Sequence, residues 1–277
     1  DGNSCGPITG TINVIQPTAV TITTISSNTP ICFGNTLNLT SSASGGTGVI
    51  TYSWTGPNSF SSNIQNPSIS GATIAASGTY NLMITDANGC SKNSTINVIV
   101  NPLPTATAGG TQTICSNATA TVSGATSSNG TISWSENGAG SITAGATTLT
   151  PTYTAVAADA GNTVTLTMTV TSNNACAPQT ATATYTLIVN TVPTASISGS
   201  TTACQNSAPA PNITFAGGNG VAPYTFTYTL NGGSNLTVTT STGNSVTVPA
   251  STAITGNSVY TLVSIADANG CSQLQSG

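Results

Sequence analysis

The chain has 277 residues, 37% of them hydrophobic, which is enough length and apolar content for two or three domains. It carries one basic residue, five acidic residues and no His, giving a net charge of -4 at pH 7. A single cation cannot neutralise a row of phosphates, which argues against nucleic acid as a partner. Without His, the catalytic triads that depend on it are excluded.

Short alternating strands are predicted from the start of the chain onwards. Residues 1–16, ending in "INVIQ", match the tail of a repeat whose beginning is missing. Residues 17–102 then contain the runs "TLNLTSS", "ITYSWTG", "NPSISG", "TYNLMITD" and "STINVIVN", separated by Gly, Asn, Ser and Pro. No stretch has helical periodicity. Several strands in so short a segment indicate an all-β protein made of immunoglobulin-like β-sandwiches.

The seven cysteines fall into two sets that alternate along the chain. The first-set cysteines, each near the start of a segment, are Cys32, Cys115 and Cys204. The second-set cysteines, each following a loop signal such as "DANGC" or "SNNAC", are Cys5, Cys90, Cys176 and Cys271. No CxxC pair is present, so disulfides in an oxidising compartment are a better interpretation than a metal site.

An apolar run ending in Pro-Thr-Ala recurs between these sets and marks repeat boundaries near residues 17, 103 and 192. The predicted units are the last strand of a preceding truncated repeat and three tandem repeats, the third of which lacks its final strand: 1–16, 17–102, 103–191 and 192–277. One disulfide is predicted in each repeat: Cys32–Cys90, Cys115–Cys176 and Cys204–Cys271. The partner of Cys5 is then expected outside these residues, with an interchain bridge as the alternative.

Four aromatic residues are predicted to belong to the cores rather than to a ligand site. Trp54 and Trp134 lie on strands of the type "TYSWTG" and "TISWSE". Tyr80 and Tyr260 occupy the place of a tyrosine corner at the start of the penultimate strand. The second repeat departs from this pattern and has Val164 there.

The repeated "DANG" motif is a candidate for a weak calcium site, because Asp and Asn oxygens at alternate positions resemble the start of an EF-hand loop. The candidate ligands are Asp86, Asn88, Asp267 and Asn269. The glutamate that closes such a loop is missing, because Asn97 stands at its position. The alternative is a turn in which Asp accepts backbone hydrogen bonds and Gly supplies positive φ, with the following cysteine forming the disulfide. This turn is our prediction, with no metal and no cofactor.

The segment 52–90, "YSWTGPNSFSSNIQNPSISGATIAASGTYNLMITDANGC", has a Gly-Thr-Tyr strand followed by Asp-Ala-Asn-Gly-Cys. It resembles the Ig-like or PKD-like repeats of giant Bacteroidota surface proteins, the SprB-type gliding adhesins that the type IX system secretes. The resemblance covers the first repeat and the end of the third. It implies a cell-surface location, adhesion and a link to gliding motility.

These observations predict a non-catalytic stalk or filament segment of a secreted bacterial surface adhesin. The carboxylates that glycosidase chemistry would need are spread over three repeats, so no enzyme activity is expected. The expected partners are neighbouring repeats of the same chain, with lateral or head-to-tail self-association, and neither nucleic acid nor membrane insertion. Two alternatives stay open: a filament subunit that exchanges strands, and a carbohydrate-binding module of a secreted enzyme.

Overall fold

A computed structural model describes residues 10–199, 201–253 and 255–275. The chain folds as tandem immunoglobulin-like β-sandwiches, which confirms the all-β prediction. Three separate clusters of buried apolar side chains form, one in each of three successive regions of the sequence. The repeat boundaries at 17, 103 and 192 stay a prediction.

The first region pairs nine strands around a core that includes Trp54, Tyr80 and Leu82. The strands are β1 (Thr21–Ser27), β2 (Ile31–Cys32), β3 (Leu37–Ser44), β4 (Thr51–Gly56), β5 (Phe60–Ser62), β6 (Ser68–Ile69), β7 (Gly78–Thr85), β8 (Ser91–Val98) and β9 (Val100–Asn101). One sheet has the order β1-β3-β6 and the other β5-β4-β7-β8, while β2 pairs in parallel with β9. A 3-10 turn, Ile74–Ala76, precedes β7. Apolar and polar residues alternate along these strands as the sequence predicts: in β7 every second residue from Tyr80 to Ile84 is buried.

The second region repeats this plan with different strand lengths. Its strands are β10 (Thr105–Thr107), β11 (Thr111–Cys115), β12 (Thr119–Thr121), β13 (Thr126–Ser128), β14 (Gly130–Glu136), β15 (Ser141–Ala144), β16 (Thr152–Thr154), β17 (Thr163–Ser172) and β18 (Thr180–Asn190). The main sheet has the order β11-β18-β17-β14, with β12-β16-β15 and β10-β13 as smaller sheets. β11 is parallel to β18, as β2 is to β9. A 3-10 turn, Ala157–Asp159, precedes β17.

In the described part of the third region, seven strands form two sheets around Phe215, Tyr224 and Phe226. The strands are β19 (Thr194–Ser198), β20 (Asn212–Gly218), β21 (Thr225–Leu230), β22 (Leu236–Thr239), β23 (Ser245–Pro249), β24 (Tyr260–Ala266) and β25 (Ser272–Leu274). The sheets have the orders β19-β20-β23 and β22-β21-β24-β25. β25 pairs with the last three residues of β24. The absence of a complete final strand from this repeat stays a prediction.

By its contacts the chain divides into two compact units. One contains the described residues up to Leu103 together with Ser172–Gln179, the turn between β17 and β18. The other contains Pro104–Thr171 and the described residues from Thr180 onwards.

Residues 10–16 differ from the prediction of a last strand. They form no strand in the structure, and Ile12 and Val14 are 89% and 88% exposed. A strand needs a neighbour to satisfy its N–H and C=O groups, and none lies beside this segment among the described residues. Residues 1–9 of the predicted strand lie outside the described residues.

Pairs of hydroxyl side chains cover the exposed faces of the sheets. The hydroxyl oxygens of Thr21 and Ser44 lie 3.1 Å apart across β1 and β3. Those of Thr121 and Thr152 lie 3.0 Å apart across β12 and β16. The same 3.0 Å contact joins Thr225 to its neighbour on β22. Cross-strand hydroxyl pairs stabilise a sheet without charge, which accounts for a polar surface built with so few ionic residues.

Candidate functional site: the cross-linking cysteines

Two disulfides connect cysteines that lie far apart in the sequence. Cys32 is bonded to Cys176 with a Cα–Cα distance of 5.5 Å, across a sequence separation of 144. Cys115 is bonded to Cys271 with a Cα–Cα distance of 5.6 Å, across a separation of 156. Each bond joins a first-set cysteine to the second-set cysteine of the following predicted repeat. The bonds interleave, because Cys115 precedes Cys176 in the chain.

The predicted disulfides inside single repeats are therefore wrong. They were Cys32–Cys90, Cys115–Cys176 and Cys204–Cys271. The reason is the position of the cysteines along the last strand: Cys32 pairs with Asn101 at the end of β9, whereas Cys90 precedes the start of β8. A strand rises about 3.3 Å per residue, so these ends are on the order of 30 Å apart. A disulfide requires Cα atoms within about 7 Å.

The two ends of the first sandwich have different roles. Gly46 donates its N–H to the Thr18 carbonyl at 2.9 Å, so the chain enters the sandwich beside the turn that carries Cys90. Cys32 lies at the other end, next to Asn101, where the chain leaves. A second-set cysteine thus marks the end where the chain enters and a first-set cysteine the end where it leaves. This arrangement explains why bonded partners belong to consecutive repeats.

The turn before Cys90 is held by one carboxylate. Asp86 Oδ1 accepts the N–H of Asn88 at 3.0 Å and of Cys90 at 2.9 Å, and Oδ2 accepts the N–H of Thr47 at 2.9 Å. Gly89, with a φ of 85°, completes the turn in the left-handed region. The N–H of Thr47 is the main cause of a lowered pKa of Asp86, with partial burial acting in the opposite direction.

The turn before Cys271 repeats these contacts. Asp267 Oδ1 accepts from Asn269 at 3.0 Å and from Cys271 at 2.9 Å, and Oδ2 accepts from Val221 at 3.1 Å. Three N–H groups thus point their positive ends at each carboxylate, which disfavours a cation there. The geometry favours the turn over the calcium site considered for Asp86, Asn88, Asp267 and Asn269.

The second repeat uses an amide in place of the carboxylate. Asn174 Oδ1 accepts the N–H of Cys176 at 2.8 Å, and its Nδ2 donates to the Pro102 carbonyl at 3.1 Å. The carboxylates cannot donate such a second bond. Asn174 therefore holds the cysteine and also binds the chain beside Asn101, whose carbonyl faces the sulfur of Cys176.

We expect Asp267→Ala to accelerate reduction of the Cys115–Cys271 bond about tenfold. The substitution removes both hydrogen bonds that close the turn, and a loss of about 1.4 kcal/mol raises the population of a locally opened turn by that factor. Timed reduction by dithiothreitol, followed by alkylation and mass spectrometry, measures each bond separately. Asp86→Ala is the matched control, because its turn carries a free cysteine, and both bonds should then keep their rates. Equal acceleration of the Cys32–Cys176 bond by Asp267→Ala would contradict this local role.

Cys90 and Cys204 are free and exposed. The second-set cysteines in bonds, Cys176 and Cys271, are buried, with exposed fractions of 2% and 0%. Cys90 thus has the same supporting turn as Cys271 but a solvent-exposed thiol. The prediction for Cys5 lies outside the described residues.

The predicted core aromatics occupy different depths. Trp54 and Tyr80 are fully buried, and Trp134 is 8% exposed. The Tyr80 hydroxyl donates to the Ala76 carbonyl at 3.0 Å, the bond of a tyrosine corner. Tyr260 is only half-buried, a correction to its predicted place in the core, and stacks on Tyr228 at a centroid distance of 5.9 Å.

A buried Asp–Tyr pair in the second region was not predicted. Asp159 is 2% exposed and accepts the Tyr153 hydroxyl at 2.8 Å. It also accepts three backbone N–H groups, those of Ala139 at 2.6 Å, Gly140 at 3.1 Å and Val156 at 3.0 Å. This carboxylate connects a loop, a 3-10 turn and a strand. The one sequence signal is an acidic residue in an otherwise apolar segment, "AVAADAGN".

The described residues contain no group of three or more His, Cys, Asp or Glu side chains that could hold a metal ion. A groove in the third region is lined by uncharged residues that include Gln205, Thr252 and Tyr260. Over the same described ranges, no helix is long and apolar enough to cross a membrane.

No family model matches the chain, and no curated protein matches it. Solved structures with similar folds include the I67–I69 fragment of titin, at 9% identity and a TM-score of 0.47, covering 85% of this chain and 89% of that one. An E-to-A variant of the same titin domains has 11% identity and a TM-score of 0.48, covering 94% and 96%. The PKD1 domain of Vibrio anguillarum Epp has 23% identity and a TM-score of 0.25, covering 31% of this chain and all of that one.

The chain is an immunoglobulin-like repeat protein with disulfide-bonded β-sandwiches. Disulfides form and persist in oxidising environments, so the two bonds are typical of an extracellular domain.

Proposed function

We propose that this chain is a non-catalytic stalk or filament segment of a secreted bacterial surface adhesin, which holds a distal binding element away from the cell. The observation that carries the proposal is the interleaving of the Cys32–Cys176 and Cys115–Cys271 bonds. An enzyme or a single binding module gains nothing from covalent bonds between consecutive repeats. A chain under tension does, because such bonds carry force past the folded sandwiches.

The disulfides also contribute stability that sandwiches of this size need. Each closes a loop of 144 or more residues, which in the chain-entropy model stabilises the folded state by about 5 kcal/mol. The net stability of a domain is about 5–15 kcal/mol, so one bond is a large part of it. Loss of either bond should weaken two repeats at once.

The uncharged surface fits the same role. Hydroxyl pairs such as Thr21 with Ser44 lie on the exposed faces, and the whole chain has only six acidic or basic residues. Interactions of uncharged polar surfaces change little with ionic strength, which suits a protein exposed to variable surroundings. Low charge also permits chains to lie side by side without repulsion.

The native polypeptide in its source cells tests this proposal. An antibody against residues 20–199 should label intact, unpermeabilised cells, and on reducing gels it should detect a chain of many hundreds of kilodaltons. Reduction separates disulfide-linked copies, so the gel reports the length of a single polypeptide. A reduced chain near 27 kDa would instead favour the filament-subunit alternative. Labelling only after cells are permeabilised would contradict a surface role.

A further inference from the structure

The main chain and a disulfide lie side by side where the second region begins. Cys32 pairs with Asn101 in the parallel contact of β2 with β9, and it is bonded to Cys176 with a Cα–Cα distance of 5.5 Å. Paired strands lie about 4.8 Å apart, so Asn101 is within about 10 Å of Cys176. The Asn101 carbonyl oxygen lies 3.8 Å from the Cys176 sulfur. Two covalent links therefore enter the second region together: the main chain after Asn101 and the bond to Cys176.

The same arrangement is found where the second region ends. Cys115 pairs with Asn190 in the parallel contact of β11 with β18, and it is bonded to Cys271 with a Cα–Cα distance of 5.6 Å. By the same spacing of paired strands, about 4.8 Å, Asn190 is within about 10 Å of Cys271. Two covalent links therefore leave the second region together: the main chain after Asn190 and the bond from Cys115.

Strands β11 and β18 connect the entering links to the leaving ones. The β11 route runs from Asn101 along the main chain through β10 and β11 to Cys115, from which a disulfide leaves. The β18 route runs from Cys176, where the other disulfide enters, through β18 to Asn190, from which the main chain leaves. A strand is already close to the maximum extension of a chain, about 3.3–3.6 Å per residue. Tension on either entering link thus meets a strand that lengthens little.

Strands β12 to β17 lie outside both routes. They belong to residues 116–175, which join Cys115 to Cys176. This segment is stretched only if Cys115 and Cys176 move apart. While the first and third regions stay folded, the β11 route and the β18 route each limit that separation to about 50 Å. The segment itself is about 200 Å long when fully extended, so the two routes become taut before it does.

We propose that β11 and β18 act together as a two-stranded tie, which carries tension through the second region and leaves β12 to β17 unloaded. The proposal rests on the stalk function proposed above and adds to it the part of the repeat that bears the load. Each disulfide holds one end of one strand: Cys115 the end of β11, and Cys176 the beginning of β18. Without the bonds, β11 is pulled only at its beginning and β18 only at its end. Two parallel strands pulled in this way slide past each other, and the hydrogen bonds between them must break together.

The register of β11 on β18 shows which backbone groups resist this sliding. Gly110 accepts an N–H group of β18 at 3.0 Å, and Ser116 donates its N–H to β18 at 2.9 Å. The bonding residues of a strand alternate in a parallel pair. The N–H of Gln112 therefore faces β18, whereas the N–H of Thr113 faces away. Replacing either residue by proline removes one N–H group, and only the first of these belongs to the pair.

Two proline variants test the tie. Each is placed in the bonded chain and in an unbonded chain that carries Cys176→Ser with Cys271→Ser, and single molecules are stretched from their ends with the remaining thiols alkylated. In the unbonded chain, Gln112→Pro should lower the rupture force of one unfolding step about twofold, because the proline ring also displaces the strand that faces it. Thr113→Pro is the matched control and should leave every rupture force unchanged.

In the bonded chain, neither proline variant should lower a rupture force, because both strands are held at both ends and do not slide. An equal loss of strength from Gln112→Pro in the bonded and unbonded chains would overturn the tie. No loss in the unbonded chain, with all unfolding steps still present, would do the same.

A loop insertion tests the unloaded segment and leaves both routes intact. About twenty Gly and Ser residues are inserted after Gly124, an exposed turn residue with open space around it. In the Cys271→Ser variant, which keeps the Cys32–Cys176 bond, the insertion should leave the fully stretched length unchanged. In the unbonded chain it should add about 70 Å. An equal increase in both chains would show that the segment bears load, while the size and surface labelling of the native chain would still test the proposed function separately.

Discussion

Pulled at its two ends, the oxidised chain should extend between Cys32 and Cys271 by only about a quarter of the reduced chain's length. The shortest covalent path crosses the Cys32–Cys176 bond, follows the chain back to Cys115 and crosses to Cys271. At about 3.4 Å per residue, this path is about 200 Å long, against about 800 Å when both bonds are broken. Force spectroscopy with the remaining thiols alkylated measures the two lengths directly.

Single variants make this prediction specific to interleaved bonds. Cys176→Ser leaves the path from Cys32 along the chain to Cys115, for an extension of about 280 Å. Cys271→Ser leaves the path through Cys176 and forward along the chain, for about 320 Å. Each variant alone thus adds about 100 Å, while the double variant reaches about 800 Å. Increments that simply add would show that the bonds do not interleave.

Asp159→Ala should lower the free energy of unfolding of the second region by about 3–4 kcal/mol. The substitution leaves the Tyr153 hydroxyl and the N–H groups of Ala139 and Val156 without their acceptor, and hydrogen bonds to a buried charge contribute about 1.5–3 kcal/mol each before relaxation. Denaturant unfolding followed by fluorescence of Trp134 measures the loss. Tyr153→Phe is the matched control: it removes one of these bonds and should cost about 1–2 kcal/mol. Equal costs for the two variants would contradict the central role of the carboxylate.

The same carboxylate predicts how stability depends on pH. Burial alone raises the pKa of Asp159, but the hydrogen bonds from Val156, Ala139, Tyr153 and Gly140 outweigh it, and the net pKa is lowered. Its contribution is therefore complete above the unfolded pKa of about 3.9 and is lost as the pH falls through the lower, folded pKa. Asp159→Ala should flatten this acid limb of the stability curve. If the variant loses stability at acid pH as the unmodified protein does, that loss comes from other groups.

Tyr153 contributes to the loss of stability at alkaline pH. Burial, with the hydrogen bond to Asp159, raises the pKa of Tyr153 to about 12. The stability linked to its neutral form is complete below the ordinary tyrosine pKa of about 10, and is lost as the pH rises towards 12. Tyr153→Phe should remove this part of the alkaline loss.

Local chemistry was predictable from the sequence, and partner choice was not. The Asp86 turn follows from the preferences of Asp, Asn and Gly, which act over four residues, and the alternation around Tyr80 identifies β7. The sorting of cysteines into two sets was also sound, since both bonds join one member of each. Which members pair depends on the parallel contact of the two-residue strand β2 with β9, for which no local pattern exists. Asp159 was missed because its donors come from separate segments that only the fold brings together.

The overlap of the two disulfides has a further consequence for a protein exposed to extracellular proteases. Every peptide bond from Cys32 to Cys271 is bridged by at least one disulfide, and those between Cys115 and Cys176 are bridged by two. A protease that cuts once anywhere in this span leaves two fragments that are still covalently joined. A single cut in an exposed loop therefore breaks one peptide bond without separating the two parts of the chain. Continuity of the chain thus does not depend on every backbone bond remaining intact.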